Sequence, residues 1–350
     1  IANDIRDLYC VPGVQNDPFF DKVFDRTDIL RPIHARHEQG AVYMALGAAL
    51  ATGKPQVFSI VPGPGFLNGC AALCTAYALN APLFALIGQI PSGAIDRRYG
   101  LLHEIQGQMD ILKSLTKHAD RIIDGKDATR QFGDAWRELN SGRPRPVGLE
   151  IPVDVWKKSA SYSLDQLKVA PAESPKTLVD QIAEAAALIS SAKSPLIVVG
   201  SGAQDHSIHI RALAKRINAG VMAFRTGHGV MSSLDHLSIN MPTGHALWAD
   251  CDLVIGLGTR LTTQKIEWGL DKNLKILHID LDRNVLNRIA PATLGLHADL
   301  GSALPVLLGT LPAQPDRSAW VKRIMETKAT LSASIAEDLA PQIGWLTAIR

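Results

Sequence analysis

From residue 39 to residue 95 the chain carries a single charged side chain, Lys54, and that restricts it to folds with a dry interior layer. A tract this apolar invites comparison with membrane helices, which need about 20 consecutive apolar residues each. Turn-forming residues, however, cut it into strand-sized and helix-sized pieces: Gly53-Lys54-Pro55, Pro62-Gly63-Pro64-Gly65, Asn80-Ala81-Pro82 and the run from Gly88 to Ser92. Parallel strands covered on both faces read as continuous apolar runs. The tract is therefore expected to be the centre of an α/β domain, with no membrane partner.

Around it the pattern alternates. Residues 7–11 read as a strand, 16–24 as a helix capped by Asn16 or Asp17 with Pro18 early in it, and 29–33 as a short strand. A small-residue helix over 37–51, a strand over 56–61, a helix over 66–79 and a strand over 83–88 follow. A helix over 128–139 and a strand over 146–152 complete the first half. Repeated strand–helix units imply a parallel sheet with helices on both faces. Residues 156–176 lose the pattern and gain Ser, Pro and Lys, as a linker does. Beyond it, a helix over 178–190, buried strands over 194–203, 251–261 and 274–282, and a helix over 208–217 predict a second doubly wound sheet. The fold class is α/β, with two doubly wound parallel-sheet domains.

Composition narrows the function by exclusion. A formal charge of +2 and few aromatics give no electrostatic or stacking footprint for nucleic acid. Cys10, Cys70, Cys74 and Cys251 are too few for a disulfide framework, and no histidine near Cys70 and Cys74 completes a metal set. Cys70 and Cys74 read as small buried core residues, and a reducing cytoplasm is expected. The chain opens on Ile1 without a basic-then-apolar leader, and it closes at Trp345–Arg350 inside an expected amphipathic helix. Both ends read as internal to a longer protein.

Three motifs carry possible chemistry. Glycines after strands at 200–203 and 256–260 could receive phosphate, but neither completes G-x-G-x-x-G with a helix behind it. The Gly63-Pro64-Gly65 bend turns a strand directly into a helix, either as a rigid ligand edge or for packing alone. Glu38 stands where a polar run meets a long apolar helix. There it is either a complement to the helix dipole or a carboxylate whose desolvation suits it to proton exchange. On the residues alone these two readings stand level.

VPGVQND (11–17), RHEQGAVYMALGAALATGKP (36–55), VPGPGFLN (61–68) and APLFALIGQIPS (81–92) occur in that order. They resemble the pyrimidine-binding domain of thiamine-diphosphate-dependent enzymes, in the acetolactate synthase and benzoylformate decarboxylase group. GRPRPVGLEIPVDV (142–155) is similar to that domain's last strand. SPLIVVGSGA (194–203), ADCDLVIGLGTRL (249–261) and HIDLDRN (278–284) are similar to the central domain. The resemblance implies a pyrimidine-binding domain over 1–155, a linker over 156–176, a Rossmann-like central domain over 177–335 and, over 336–350, the lead-in to a diphosphate-binding domain missing from the chain.

The resemblance also implies roles. Glu38 would hydrogen-bond N1′ of the cofactor's aminopyrimidine and share a proton with it, so that the ring can deprotonate the thiazolium C2. Pro12 and Gly13 would lie over the pyrimidine, Pro64 and Asn68 would contact it, and Gln89 would face the reacting centre. The expected cofactors are thiamine diphosphate and, through the missing domain, Mg2+, with no metal ligand in this chain. FAD is not expected, because 226–252 lacks the Met- and Gly-rich segment that accompanies it in acetolactate synthases. The implied reaction is decarboxylation of a small 2-oxo acid with carboligation, in a homodimer or homotetramer whose active site forms between subunits, so that this chain alone is expected to be inactive.

GLLHEI (100–105) departs from acetolactate synthases and is similar to the Leu-Leu-His stretch of pyruvate-type decarboxylases, with Glu104 where they have a second histidine. His103 as a proton relay would make the enzyme a non-ligating decarboxylase; a plain surface histidine is the other reading. A non-catalytic binding module and a nucleotide-binding oxidoreductase are the rival classes.

Overall fold

The computed structural model describes every residue except 160, 162, 176–178, 271, 272, 343 and 345–350. The chain divides into two compact units, Ile1–Glu173 and Ser174–Arg350. In the first, β1 (Asp7–Cys10), α1 (Asp17–Phe24), β2 (Arg31–His34), α2 (Glu38–Thr52), β3 (Gln56–Ile60), α3 (Pro64–Leu79) and β4 (Leu83–Gln89) follow one another. Then come α4 (Gln108–Leu115), β5 (His118–Arg121), α5 (Gly125–Asn140), β6 (Val147–Pro152), α6 (Val153–Trp156) and α7 (Leu164–Leu167). The six strands are all parallel, in the order β2-β1-β3-β4-β6-β5.

Alternation along the central strands explains the two layers. Phe58, Ile60, Leu83, Ala85 and Ile87 face a cluster with α2 and α3. Leu8, Val57, Phe84 and Leu86 face the other way, toward Ala135 and Leu139 of α5. Side chains at successive strand positions point to opposite faces, so a strand covered on both must be apolar throughout. Close approach of α2 and α3 depends on the small residues Ala41, Ala45 and Ala49 of one and Gly69, Ala72 and Ala76 of the other, all buried.

Neither α4 nor β5 is among the expected elements, although α4 is amphipathic. β5 is an edge strand of four half-buried residues, His-Ala-Asp-Arg, with no apolar alternation. Polar edge residues are a usual guard against unwanted strand pairing. Asn16 also differs from expectation: it precedes α1, yet its side chain makes no cap. Its amide instead crosses to β3, donating to Ser59 Oγ at 3.1 Å and to the Ile60 carbonyl at 2.9 Å. Within 156–176, α7 packs on α5, where Gly133 lies so close to the Gln166 carbonyl that a Cβ would overlap it. The four cysteines are free; Cys10 and Cys251 are buried and Cys70 is half-buried, but Cys74, against expectation, is exposed on the outer side of α3. Burial pushes the Cys10 and Cys70 thiols up to about 11.

The second unit holds α8 (Val179–Ser191), β7 (Pro195–Val199), α9 (Ser207–Ile217), β8 (Gly220–Ala223), β9 (Ser238–Ile239) and α10 (Met241–Leu247). It continues with β10 (Leu253–Leu257), β11 (Lys275–Asp280), α11 (Arg283–Leu286), β12 (Leu294–His297), α12 (Leu300–Thr310) and α13 (Ser318–Leu339). Its strands too are parallel, in the order β12-β11-β10-β7-β8-β9. The buried Arg317 guanidinium donates to the carbonyls of Ile189, Ala192 and Ile217, which closes the C-terminal ends of α8 and α9. α13 runs across residue 335 and buries only Trp320 and Ile324. The helix expected over Trp345–Arg350 lies outside the described residues.

β4 and the loop after β1 meet at Gly88, where a Cβ would overlap Asn16 Oδ1. Gly88→Ala is expected to push Asn16 off its two acceptors and destabilise the first unit by about 2–4 kcal/mol. Urea unfolding followed by circular dichroism checks this, and an unchanged midpoint would contradict it.

Candidate active site

In a parallel sheet every segment that follows a strand emerges at the same edge, where open α/β sheets bind their ligands. Pro12 and Gly13 follow β1, Glu38 comes shortly after β2, Pro62 to Gly65 follow β3, and Gln89 closes β4. The topology thus brings all the sequence-predicted residues of the first four strands to one edge.

Glu38 is the first residue of α2, half-buried. Its Oε2 accepts a hydrogen bond from Asn68 Nδ2 of α3 at 2.9 Å. Its Oε1 stands 3.3 Å from where a Cβ on Gly65 would be, with no donor to it among the described residues. The helix is capped by its neighbour: His37 Nδ1 accepts from the Gln39 backbone N–H at 3.2 Å. Pro64 opens α3 and is exposed, as is Pro12. Gly13 and Gly65 both lie against the Val61 side chain, at 2.6 and 2.5 Å from an added Cβ, so the turns after β1 and β3 share one support.

Gly63 has φ +60, and a Cβ there would overlap the His103 carbonyl. The loop carrying His103 therefore lies directly on the Gly-Pro-Gly bend. Its histidine ring is half-buried, and Nδ1 is 2.8 Å from Gln15 Oε1. Gln89 is buried at the end of β4, where its Oε1 accepts from the Ile90 N–H at 2.7 Å. Among the described residues it makes no hydrogen bond to Glu38, Asn68 or His103.

Sequence reasoning missed the residues that hold this edge together. Gln108, 2% exposed, accepts from the Gly63 N–H at 2.8 Å through Oε1. Its Nε2 donates to the Gly88 carbonyl at 3.1 Å and to Glu150 Oε2 at 3.2 Å. Glu150 is fully buried and paired with Arg121. A glutamine opening a short amphipathic helix gives no sequence signal for such a role. In the second unit the strand-end glycines serve each other. Gly202 donates its N–H to the Gly258 carbonyl at 3.1 Å, Gly258 has φ +56, and its own N–H goes to Ile279 at 3.1 Å.

Residues 1–114 match the model of the thiamine pyrophosphate enzymes' N-terminal TPP-binding domain, and residues 182–307 match that of their central domain. The chain belongs to the thiamine pyrophosphate enzymes. All seven predicted site residues fall within the first match. Among curated relatives, the chain is 29% identical over 339 residues to the acetolactate synthase isozyme 1 large subunit of Escherichia coli K12, covering 95% of this chain and 59% of that protein. It is 30% identical over 345 residues to a probable acetolactate synthase large subunit of Methanocaldococcus jannaschii, covering 93% and 57%. A probable 2-ketoarginine decarboxylase of Pseudomonas aeruginosa is 28% identical over 316 residues, covering 88% and 56%. The chain thus spans between half and three-fifths of these relatives' length.

The first unit suits the pyrimidine end of thiamine diphosphate. Glu38 presents one carboxylate oxygen held by Asn68 and one with no donor among the described residues, while the glycines at 13, 63 and 65 are required by close packing on Val61 and the His103 carbonyl. No group of three or more His, Cys, Asp or Glu able to hold a metal occurs among the described residues, and none of their helices is long and apolar enough to cross a membrane.

Gln108→Leu is expected to leave the Gly63 N–H, the Gly88 carbonyl and Glu150 without their buried partner and to cost about 3–5 kcal/mol. Hydrogen exchange at the Gly63 amide should accelerate along with that loss. Wild-type protection at Gly63 in the variant would refute the hub role.

Proposed function

We propose that this chain contributes the cofactor-activating half of a thiamine-diphosphate-dependent enzyme that decarboxylates a small 2-oxo acid and ligates the product, as an acetolactate synthase does. The observation that carries the reading is the Glu38 carboxylate: Oε2 is held by Asn68, while Oε1 faces the Gly65 bend without a donor. When bound, thiamine diphosphate supplies the electron sink for the bond broken as CO2 leaves. Glu38 holds a proton in register with N1′ of the aminopyrimidine and so governs the ring's tautomer. Asn68 keeps the carboxylate from rotating away. Pro64 and Asn68 would contact the ring, and Pro12 and Gly13 would lie over it, on turns stiffened by packing on Val61. Gln89, at the end of β4, is placed to meet the substrate. In this reading the diphosphate and Mg2+ are bound by protein outside residues 1–350, the cofactor set does not include FAD, and residues 1–350 alone do not turn over.

A second copy of the protein as the assembly partner is supported by α2 and α3. Helices apolar all round belong in an interior, yet these expose Tyr43, Met44, Leu50 and Leu67. A homodimer or homotetramer would cover them.

A second reading, a non-ligating decarboxylase with His103 relaying protons, is favoured by the oriented His103 ring and by the likeness to a 2-ketoarginine decarboxylase. Products from pyruvate or benzoylformate separate the two: a ligated hydroxy acid or hydroxyketone supports the first, a free aldehyde the second. In the full-length protein, Glu38→Gln is expected to leave cofactor affinity nearly intact and to slow C2 proton exchange about 10²–10⁴-fold. Unchanged exchange and turnover would remove Glu38 from the mechanism.

A further inference from the structure

The loop over the Gly-Pro-Gly bend holds His103 by contacts that no part of the proposed reaction requires. His103 has φ +69, a left-handed backbone that a non-glycine residue rarely adopts. Residues in such conformations persist only where their surroundings over-determine them, and they gather at functional sites. Here the surroundings are the Glu104 N–H bonded to the Leu101 carbonyl at 2.9 Å and the Leu101 N–H bonded to Glu104 Oε2 at 3.0 Å. The third hold is Gln15.

Gln15 is 5% exposed, and both ends of its amide are engaged. Nε2 is 3.1 Å from the Leu102 carbonyl, and Oε1 is 2.8 Å from His103 Nδ1. A carbonyl oxygen only accepts, so the amide atom facing Leu102 has to be the NH2 group, and the atom facing the ring has to be the oxygen. An amide oxygen only accepts in turn, so His103 Nδ1 carries a proton. In the neutral ring that leaves Nε2 bare, as a base and acceptor. No partner for Nε2 is present among the described residues.

We infer that Gln15 is a positioning residue for His103: it locks the neutral imidazole as the Nδ1–H tautomer and reserves Nε2 for a proton at the site. The histidine role rests on the second reading above, but the tautomer does not. A bare Nε2 takes a proton from, or accepts a hydrogen bond of, an acidic group of substrate or solvent. The opposite tautomer, with Nε2–H, would offer a donor there. One buried amide thus decides whether the loop presents a base or an acid.

The test uses the full-length protein with 15N-labelled histidine, the His103 signals being identified by their loss in His103→Asn. At a pH where the ring is neutral, wild-type Nε2 is expected at the unprotonated 15N position and Nδ1 at the protonated one. Gln15→Glu keeps an acceptor opposite Nδ1 and is expected to retain that pattern. Gln15→Leu removes the acceptor and is expected to interchange the two positions or merge them into an average. A wild-type ring with Nε2 protonated, or a pattern untouched by Gln15→Leu, overturns the inference. Cofactor-loaded turnover is read on the same samples. An altered tautomer with unaltered turnover upholds the role of Gln15 while removing His103 from the reaction, so the two claims fail separately.

Discussion

One buried amide, that of Gln108, ties together the edge on which the proposed chemistry depends. It receives the Gly63 N–H, and it donates to the carbonyl of Gly88 on β4 and to Glu150 on β6. Polar groups cut off from water cost about 1–3 kcal/mol each when unpaired, and a buried carboxylate costs more. The members of this set therefore stand or fall together. Glu150, fully buried, is tolerated because Arg121 meets its other oxygen, and Arg121 can do so because β5 sits at the sheet edge beside β6. A strand that looks incidental in sequence supplies the charge that permits the buried carboxylate. That carboxylate helps hold Gln108, and Gln108 holds the bend.

The same dependency explains what could be read from the amino acids and what could not. The central strands of the first sheet, α2, α3 and α5 over them, and β7, β10 and β11 of the second were legible because burial on both faces demands unbroken apolar runs, and Gly, Pro and Asn mark their ends; β8 and α12 were not read. Of the short edge strands only β2 was read; β5, His-Ala-Asp-Arg, and β9, of two residues, were not. Glu38, Asn68 and the glycines between stood out as a spaced motif, and the fold places Asn68 on Glu38. Gln15 and Gln108 did not stand out, and Asn16 stood out only as a cap, because each acts through hydrogen bonds to residues 20 to 88 positions away. Such contacts leave no period in the chain. They follow from which strands become neighbours, and a sheet in the order β2-β1-β3-β4-β6-β5 scatters neighbours along the sequence.

Glu38 began with two readings of equal weight, a complement to the helix dipole and a working carboxylate. Its surroundings bear on both. The first residue of α2 does lie at the positive end of the helix, where a negative charge is favoured. A residue there for that purpose alone needs no particular rotamer and no partner from another helix. Capping, the other task at a helix start, is done by His37. What remains is a carboxylate pinned through Oε2 by an amide of α3, with Oε1 turned toward a bend stripped of Cβ atoms. A held orientation matters for proton sharing along a fixed line and matters little for a diffuse dipole.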